Sequence, residues 1–197
     1  EAERWKTLWD SHPKDPAFLA EYAAAHFREK DHLSEEILSA AGVIDPDNAL
    51  YPLLQASSLV DDAIEKGRPK TRSTKSNPRP TPDWIINDKQ QLEECLSLVH
   101  QAAEMSELET HYRTLMEQRL PLLPDTGHYL GKFPSIAYLA QMNMIVIYYR
   151  KVANAICAGS QEMASAGDRE GFLRLIGDWE NLTKKTFRTP TLSLRDL

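Results

Sequence analysis

Residues 43–67 read VIDPDNALYPLLQASSLVDDAIEKG, and the first six of them decide how the rest is parsed. Asp45-Pro46-Asp47-Asn48 is a turn, because the residue before a proline is pushed out of helical conformation. Asn48 follows as a cap whose side-chain oxygen can accept from the open N–H groups of the next helical turn. Pro52 falls inside that first turn, where a missing N–H removes no helical bond. The stretch therefore predicts a distorted start over 48–51 and regular helix to about Lys66. Leu53, Leu54, Ala56, Leu59, Val60, Ala63 and Ile64 recur at helical spacing and form its buried face.

The same spacing extends in both directions. Residues 1–10 place Trp5, Leu8 and Trp9 on one helical face. Residues 17–29 carry a broad stripe of Phe18, Leu19, Tyr22, Ala23, Ala25, His26 and Phe27. Ser34 opens a third helix, with Leu38, Ala41 and Val43 following. Beyond the middle of the chain, residues 83–105 read as helix with Asp88 as cap and Leu92, Cys95, Leu96, Val99, Ala102 and Ala103 inward. Residues 106–120 read as helix with Leu108, Tyr112, Leu115, Met116 and Leu120 inward, closed by Pro121 and Pro124. A long helix is expected from Pro134 to about Ala164. Gly167 then supplies a permissive turn, and Asp168 caps a last helix that turns Phe172, Leu175, Ile176, Trp179 and Leu182 inward. No strand alternation of useful length is visible. The expected fold is all-α, about seven helices joined as antiparallel hairpins, either repeat-like or an irregular bundle.

Gly67 to Pro82 interrupts this pattern with GRPKTRSTKSNPRPTP, which has prolines, no large apolar residue and no acid. It divides the chain into residues 1–66, a basic linker at 67–82, and residues 83–197, the two helical parts being expected to pack as one domain. Lys66, Arg68, Lys70, Arg72, Lys75 and Arg79 leave 17 basic residues against 29 acidic ones in the remainder. Arg68, Lys70, Arg72, Lys75 and Arg79 are candidate anion contacts, although no aromatic is interleaved for base stacking. The net charge of −6 argues against a nucleic-acid surface spread over the whole chain. An apolar content of 42 % over 197 residues suffices for a core without metal or disulfide staples. Cys95 and Cys157 lie in apolar helical patterns and read as two buried thiols. The longest apolar run, 136–149, is shorter than the ~20 residues of a membrane span and contains Gln141 and Asn143. The chain begins at Glu1 without Met and ends partway through an apolar pattern, so it reads as trimmed or as a fragment. Export to the cell envelope and residence in the cytoplasm are both compatible with it.

Sliding the opening stretch back by 33 residues aligns Pro46 with Pro13, Asn48 with Asp15, Tyr51 with Phe18 and Ala56 with Ala23. DPDNALY resembles the joint between two tetratricopeptide units, which repeat at ~34 residues as helix–turn–helix. AEYAAAHF resembles a first helix, with small residues where two helices cross. ASAGDREGFLRLIGDWENL resembles the turn and second helix of such a unit. The usual Leu-Gly pair of the first helix is replaced by Tyr22-Ala23 and Gln55-Ala56. The unit opened by Asn48 lacks a proper second helix where the basic linker intervenes, and residues 83–133 fit no period. The resemblance covers about half the chain. It implies stacked helix pairs and a concave face that holds a peptide or a partner helix.

No Gly-rich phosphate loop, GxSxG, HExxH or CxxC occurs. His100 with Glu104, and Glu107 with His111, are spaced by four on a helical pattern. That reads as solvated ion-pair spacing, and the alternative is a helical-bundle metal protein or enzyme built on these four residues. His128 sits in a Gly-flanked loop without a recognisable partner. The expected function is non-catalytic, a scaffold for an unknown protein or peptide. It needs no cofactor or metal, and Tyr22, His26, Trp5 and Trp9 are its candidate partner contacts.

Overall fold

A computed structural model describes residues 1–67, 83–119 and 145–188. Helix α1, Ala2–Ser11, ends at the SHPKD turn. Asp15 then stands in extended conformation and accepts from the Ala17 N–H at 2.9 Å, with Pro16 at the first helical position of α2, Pro16–Lys30. That helix stops where Asp31 turns left-handed (φ 57°) and returns its own N–H to Phe27. Ser34 caps α3, Glu35–Ile44, by accepting from Ile37. Helix α4, Leu50–Ala63, follows the DPDN joint.

At Ala63 the chain departs from the expected course. The helix does not reach Lys66. Ile64–Lys66 is instead a strand, β1, paired antiparallel with β2, Trp84–Ile86, so that Ile64 faces Ile86 and Lys66 faces Trp84. The physical reason is at the neck. Asn87 and Asp88 both donate to the Ala63 carbonyl, and Gly67 donates to Asp83 at 2.7 Å. These bonds take the place of further helical turns. A side chain on Gly67 would bring Cβ to 2.5 Å from the Asp83 oxygen, so glycine is required for this approach. The chain thus returns to the point it left, and Asp88, accepting from Gln91, starts α5, Lys89–Glu104, beside the end of α4. Helices α4 and α5 pack along each other. Helix α5 thus follows α4 across a two-stranded ribbon and lies along it.

A second departure lies between Met105 and His111. This segment is extended, and helix α6 begins only at Tyr112, running to Arg119. Glu107 forms a parallel bridge with Asn48, and the backbone at 47–49 takes the bonds that a helix would have used. Leu108 and Leu115 are buried as expected. The Met116 side chain, Leu120 and the closing prolines lie outside the described residues. So does the start of the long helix expected from Pro134, which is described as α7, Ile145–Ala166. Gly167 (φ 73°) turns the chain into α8, Arg169–Arg188, capped by Asp168 through Gly171 N–H.

Helix α2 is the hub of the N-terminal part. Ala17, Ala20, Ala23 and Ala25 are buried on it, and these small side chains let α1, α3, α4 and α6 approach. Helices α4, α5, α7 and α8 form the second layer. Gly159 of α7 sits against Leu96 of α5 where an added Cβ would come within 2.6 Å. One apolar cluster runs through both parts, with Phe27 meeting Tyr148 edge-on. Lys151 of α7 pairs with Asp61 of α4 at 2.7 Å. The fold is all-α, and among the described residues the only sheet is the β1–β2 ribbon. Leu8 and Val43, expected inward, are exposed because α1 and α3 each bury a narrower stripe. Cys95 is buried, whereas Cys157 faces outward. None of the described helices is long and apolar enough to cross a membrane.

The hydrogen-bonded neck makes a clear prediction. Replacing residues 68–82 by Asn-Gly, a two-residue hairpin turn, should leave far-ultraviolet circular dichroism unchanged and shift Tm by no more than about 4 °C. A fall of several times that size would show that the linker, rather than the neck, joins α4 to α5.

Candidate functional site

The joint between α3 and α4 holds four polar side chains drawn from two distant stretches. Asn48 is 1 % exposed. Its Oδ1 accepts from the Leu50 and Glu109 N–H groups at 3.0 Å each. Its Nδ2 donates to Asp45 Oδ2 and to the Glu109 carbonyl at 2.7 Å each. Two lone pairs and two hydrogens are all used, so only one orientation of the amide fits. Asp45 Oδ2 also accepts from Tyr51 Oη at 3.3 Å and from His111 Nε2 at 2.8 Å. His111 reaches it from a left-handed backbone (φ 53°).

Burial works against charge on Asp45, but the bonds from His111, Asn48 and Tyr51 outweigh it and hold the carboxyl below its ordinary range. For His111, burial disfavours the imidazolium, and the Asp45 hydrogen bond and charge, with Glu109 and Glu107 nearby, reverse the sign and raise its pKa. Burial, reinforced by Asp45, pushes the Tyr51 phenol far above its usual value, so it donates rather than ionises.

Beside this cluster lies a cavity of about 210 Å³ between α3, α4 and α5. Leu38, Ala41, Pro52 and Met105 make it apolar, and Asp45, Gln55 and Gln101 add polar groups. A wider hollow of about 730 Å³ lies on the other side, between the α1–α2 turn and the start of α6 at His111 and Thr114.

The aromatic candidates come together at the α1–α2 contact. Trp9 stacks on Tyr22 with ring centroids 5.7 Å apart, His26 meets the edge of Tyr22 at 5.8 Å, and His32 meets His26 at 5.9 Å. Lys6 Nζ lies 5.4 Å from the Trp9 centroid while it bonds Glu36 at 3.0 Å. Trp9 and Tyr22 are buried, so they form the support of this patch rather than its surface. Trp5 and His26 are half-buried at its edge. His26 Nε2 has no hydrogen-bond partner among the described residues, and burial with the nearby His32 and Lys30 lowers its pKa.

The four residues His100, Glu104, Glu107 and His111 are not gathered into one site. His100 Nδ1 lies 3.0 Å from Asp178 of α8, with Glu104 at 3.6 Å from Nε2, whereas His111 belongs to the Asp45 cluster. Among the described residues no group of three or more His, Cys, Asp or Glu is placed to hold a metal ion. Arg68, Lys70, Arg72, Lys75, Arg79 and His128 lie outside the described residues. The Asp45–Tyr51–His111 cluster and the Asp178 partner of His100 were not visible in the sequence. Only the turn at Asp45 and the cap at Asn48 were, and nothing local connects either to residue 111.

Two outcomes test the joint. Asn48→Ala should destabilise the chain by about 3 kcal/mol in urea unfolding, because it leaves buried Leu50 and Glu109 groups without partners. The raised His111 pKa gives stability that is fully present below the unfolded value and lost as pH rises through the folded one. The lowered Asp45 pKa gives stability present above its unfolded value and lost as pH falls through the folded one. The advantage of the native chain over His111→Gln should therefore be greatest at about pH 5–6 and smaller at about pH 9. An unchanged difference would mean that the pair is not charged. The chain matches no family model, and no curated protein or solved structure matches it.

Proposed function

We propose that this chain is a non-catalytic scaffold for protein–protein contacts, built on tetratricopeptide-like helical hairpins. One observation carries the reading. Asp15 and Asn48, 33 residues apart, each accept from the N–H two residues on, at 2.9 and 3.0 Å, and each opens a helix that buries an alanine completely at the equivalent position, Ala23 or Ala56. The helices so opened, α2 and α4, touch each other, and α4 is followed by a partner helix across the ribbon. A repeated joint that stacks helix pairs is how helical-repeat proteins build a continuous binding face. The 210 Å³ cavity supports the same reading, since small-molecule sites usually enclose ~300–1,000 Å³ and this one suits a single side chain of a partner. Trp5 and His26, braced by Trp9 and Tyr22, are the aromatic contacts proposed at the other end.

A displayed library of random peptides selected against the folded chain tests this. Enrichment of sequences sharing a motif, each binding as a free peptide in calorimetry, is the expected result. Selection that yields no motif over successive rounds would overturn it.

A further inference from the structure

The cavity beside the α3–α4 joint has a chemistry more specific than its apolar walls. Asp45 lines it, with a side chain 11 % exposed. All three hydrogen bonds to that carboxylate converge on Oδ2, from Asn48, Tyr51 and His111. Oδ1 accepts none from the described residues. A carboxylate so held is ionised and fixed in place, and its Oδ1 keeps its acceptor capacity.

We infer that this cavity is a lysine-binding site, in which the ammonium of a partner protein's lysine donates to Asp45 Oδ1 and its aliphatic stem lies along Leu38, Ala41 and Met105. The inference rests on the scaffold reading, since it names the side chain that the cavity would take from the partner. Three arguments support it. A long aliphatic stem with a charged head matches apolar walls that end in one carboxylate. The ammonium has three donors, and Gln55 and Gln101 on the same cavity supply amide oxygens for those that Asp45 does not take. A guanidinium fork needs both carboxylate oxygens, and Oδ2 already has three donors, so a point donor is favoured over arginine. His111 does not fill the cation's place. It is held on Oδ2, and Glu107 and Glu109 add negative charge beside it.

The test is nuclear magnetic resonance titration of the ¹⁵N-labelled full chain with acetyl-Ala-Lys-Ala-amide and with its arginine and norleucine counterparts. The lysine peptide should move the Gly42, Gln55 and Gln101 signals and bind about fivefold or more tighter than the arginine peptide, with norleucine weakest. Asp45→Asn should lose about tenfold of that affinity. Because Asp45 also holds the joint together, Gly42→Leu is the second variant. Gly42 lines the cavity, and no atom of another element lies within 4 Å of a Cβ added there, so the fold is kept while a bulky side chain is placed on the cavity wall. Loss of the lysine-induced shifts in this variant is expected. Equal binding of the arginine or norleucine peptide, or lysine-induced shifts that survive Gly42→Leu, would overturn the inference. Peptide selection that enriches lysine-free motifs would remove this inference and leave the scaffold reading standing. A seated lysine peptide with no selected motif would remove the scaffold reading and leave only the cavity's preference for a lysine side chain.

Discussion

The carboxamide of Asn48 is the constraint on which the rest of this structure hangs. A buried amide that makes all four of its hydrogen bonds is stabilising only if every partner is in place. Here the partners are the first turn of α4, the carboxylate that ends α3, and both backbone groups of Glu109. One side chain therefore fixes three segments at once. It sets the angle between α3 and α4. It also ties the non-helical segment at Glu107–Glu109 to the joint, so α6 starts only at Tyr112. From the end of that segment His111 reaches Asp45, where all three donors meet Oδ2 of a carboxylate that lines the cavity. Geometry at the candidate site is thus a by-product of how a turn is tied to a segment some sixty residues away.

The sequence was readable where structure is local and silent where it is not. Ser34, Asp88 and Asp168 each cap the helix that follows them, as their side chains and positions imply. The inward faces of α4 and α5 follow from spacing alone. The ribbon did not, because three-residue strands leave no alternation to detect, and Ile64-Glu65-Lys66 continues a helical stripe equally well. Only the bonds at Ala63 and Gly67 decide between the two. The extended run through Leu108 was missed for a similar reason. Its apolar spacing fits a helix, and the competing partner, the backbone at Asp47–Ala49, is remote. Val43 and Leu8 show the opposite error, in which periodicity was taken to guarantee burial. The site was legible only as a turn and a cap.

The C-terminal end of α5 is finished by another helix. Lys185 of α8 donates to the carbonyls of Ala102 and Ala103 at 3.0 and 2.6 Å, satisfying the last turn of α5, whose own sequence carries no basic residue there. Burial lowers the Lys185 pKa, which agrees with an ammonium drawn into the interface. His100 and Asp178 join the same two helices one turn and more away. Such ties make the secondary structure of α5 depend on the docking of α8, so helix formation and packing are one event there.

The ribbon neck has a consequence for the order of folding. Helices α1 to α3 can find one another through short turns, where closing the chain costs little entropy. The α4–α5 pair is different, since Ala63 meets Asn87 only after the whole intervening excursion has closed. Pairings of that kind form late when nothing local draws their ends together. The β1–β2 ladder and the three hydrogen bonds at its neck would act as a zipper for this step. Helix α5, and with it the closing wall of the cavity, would then arrive after α1 to α3 have met.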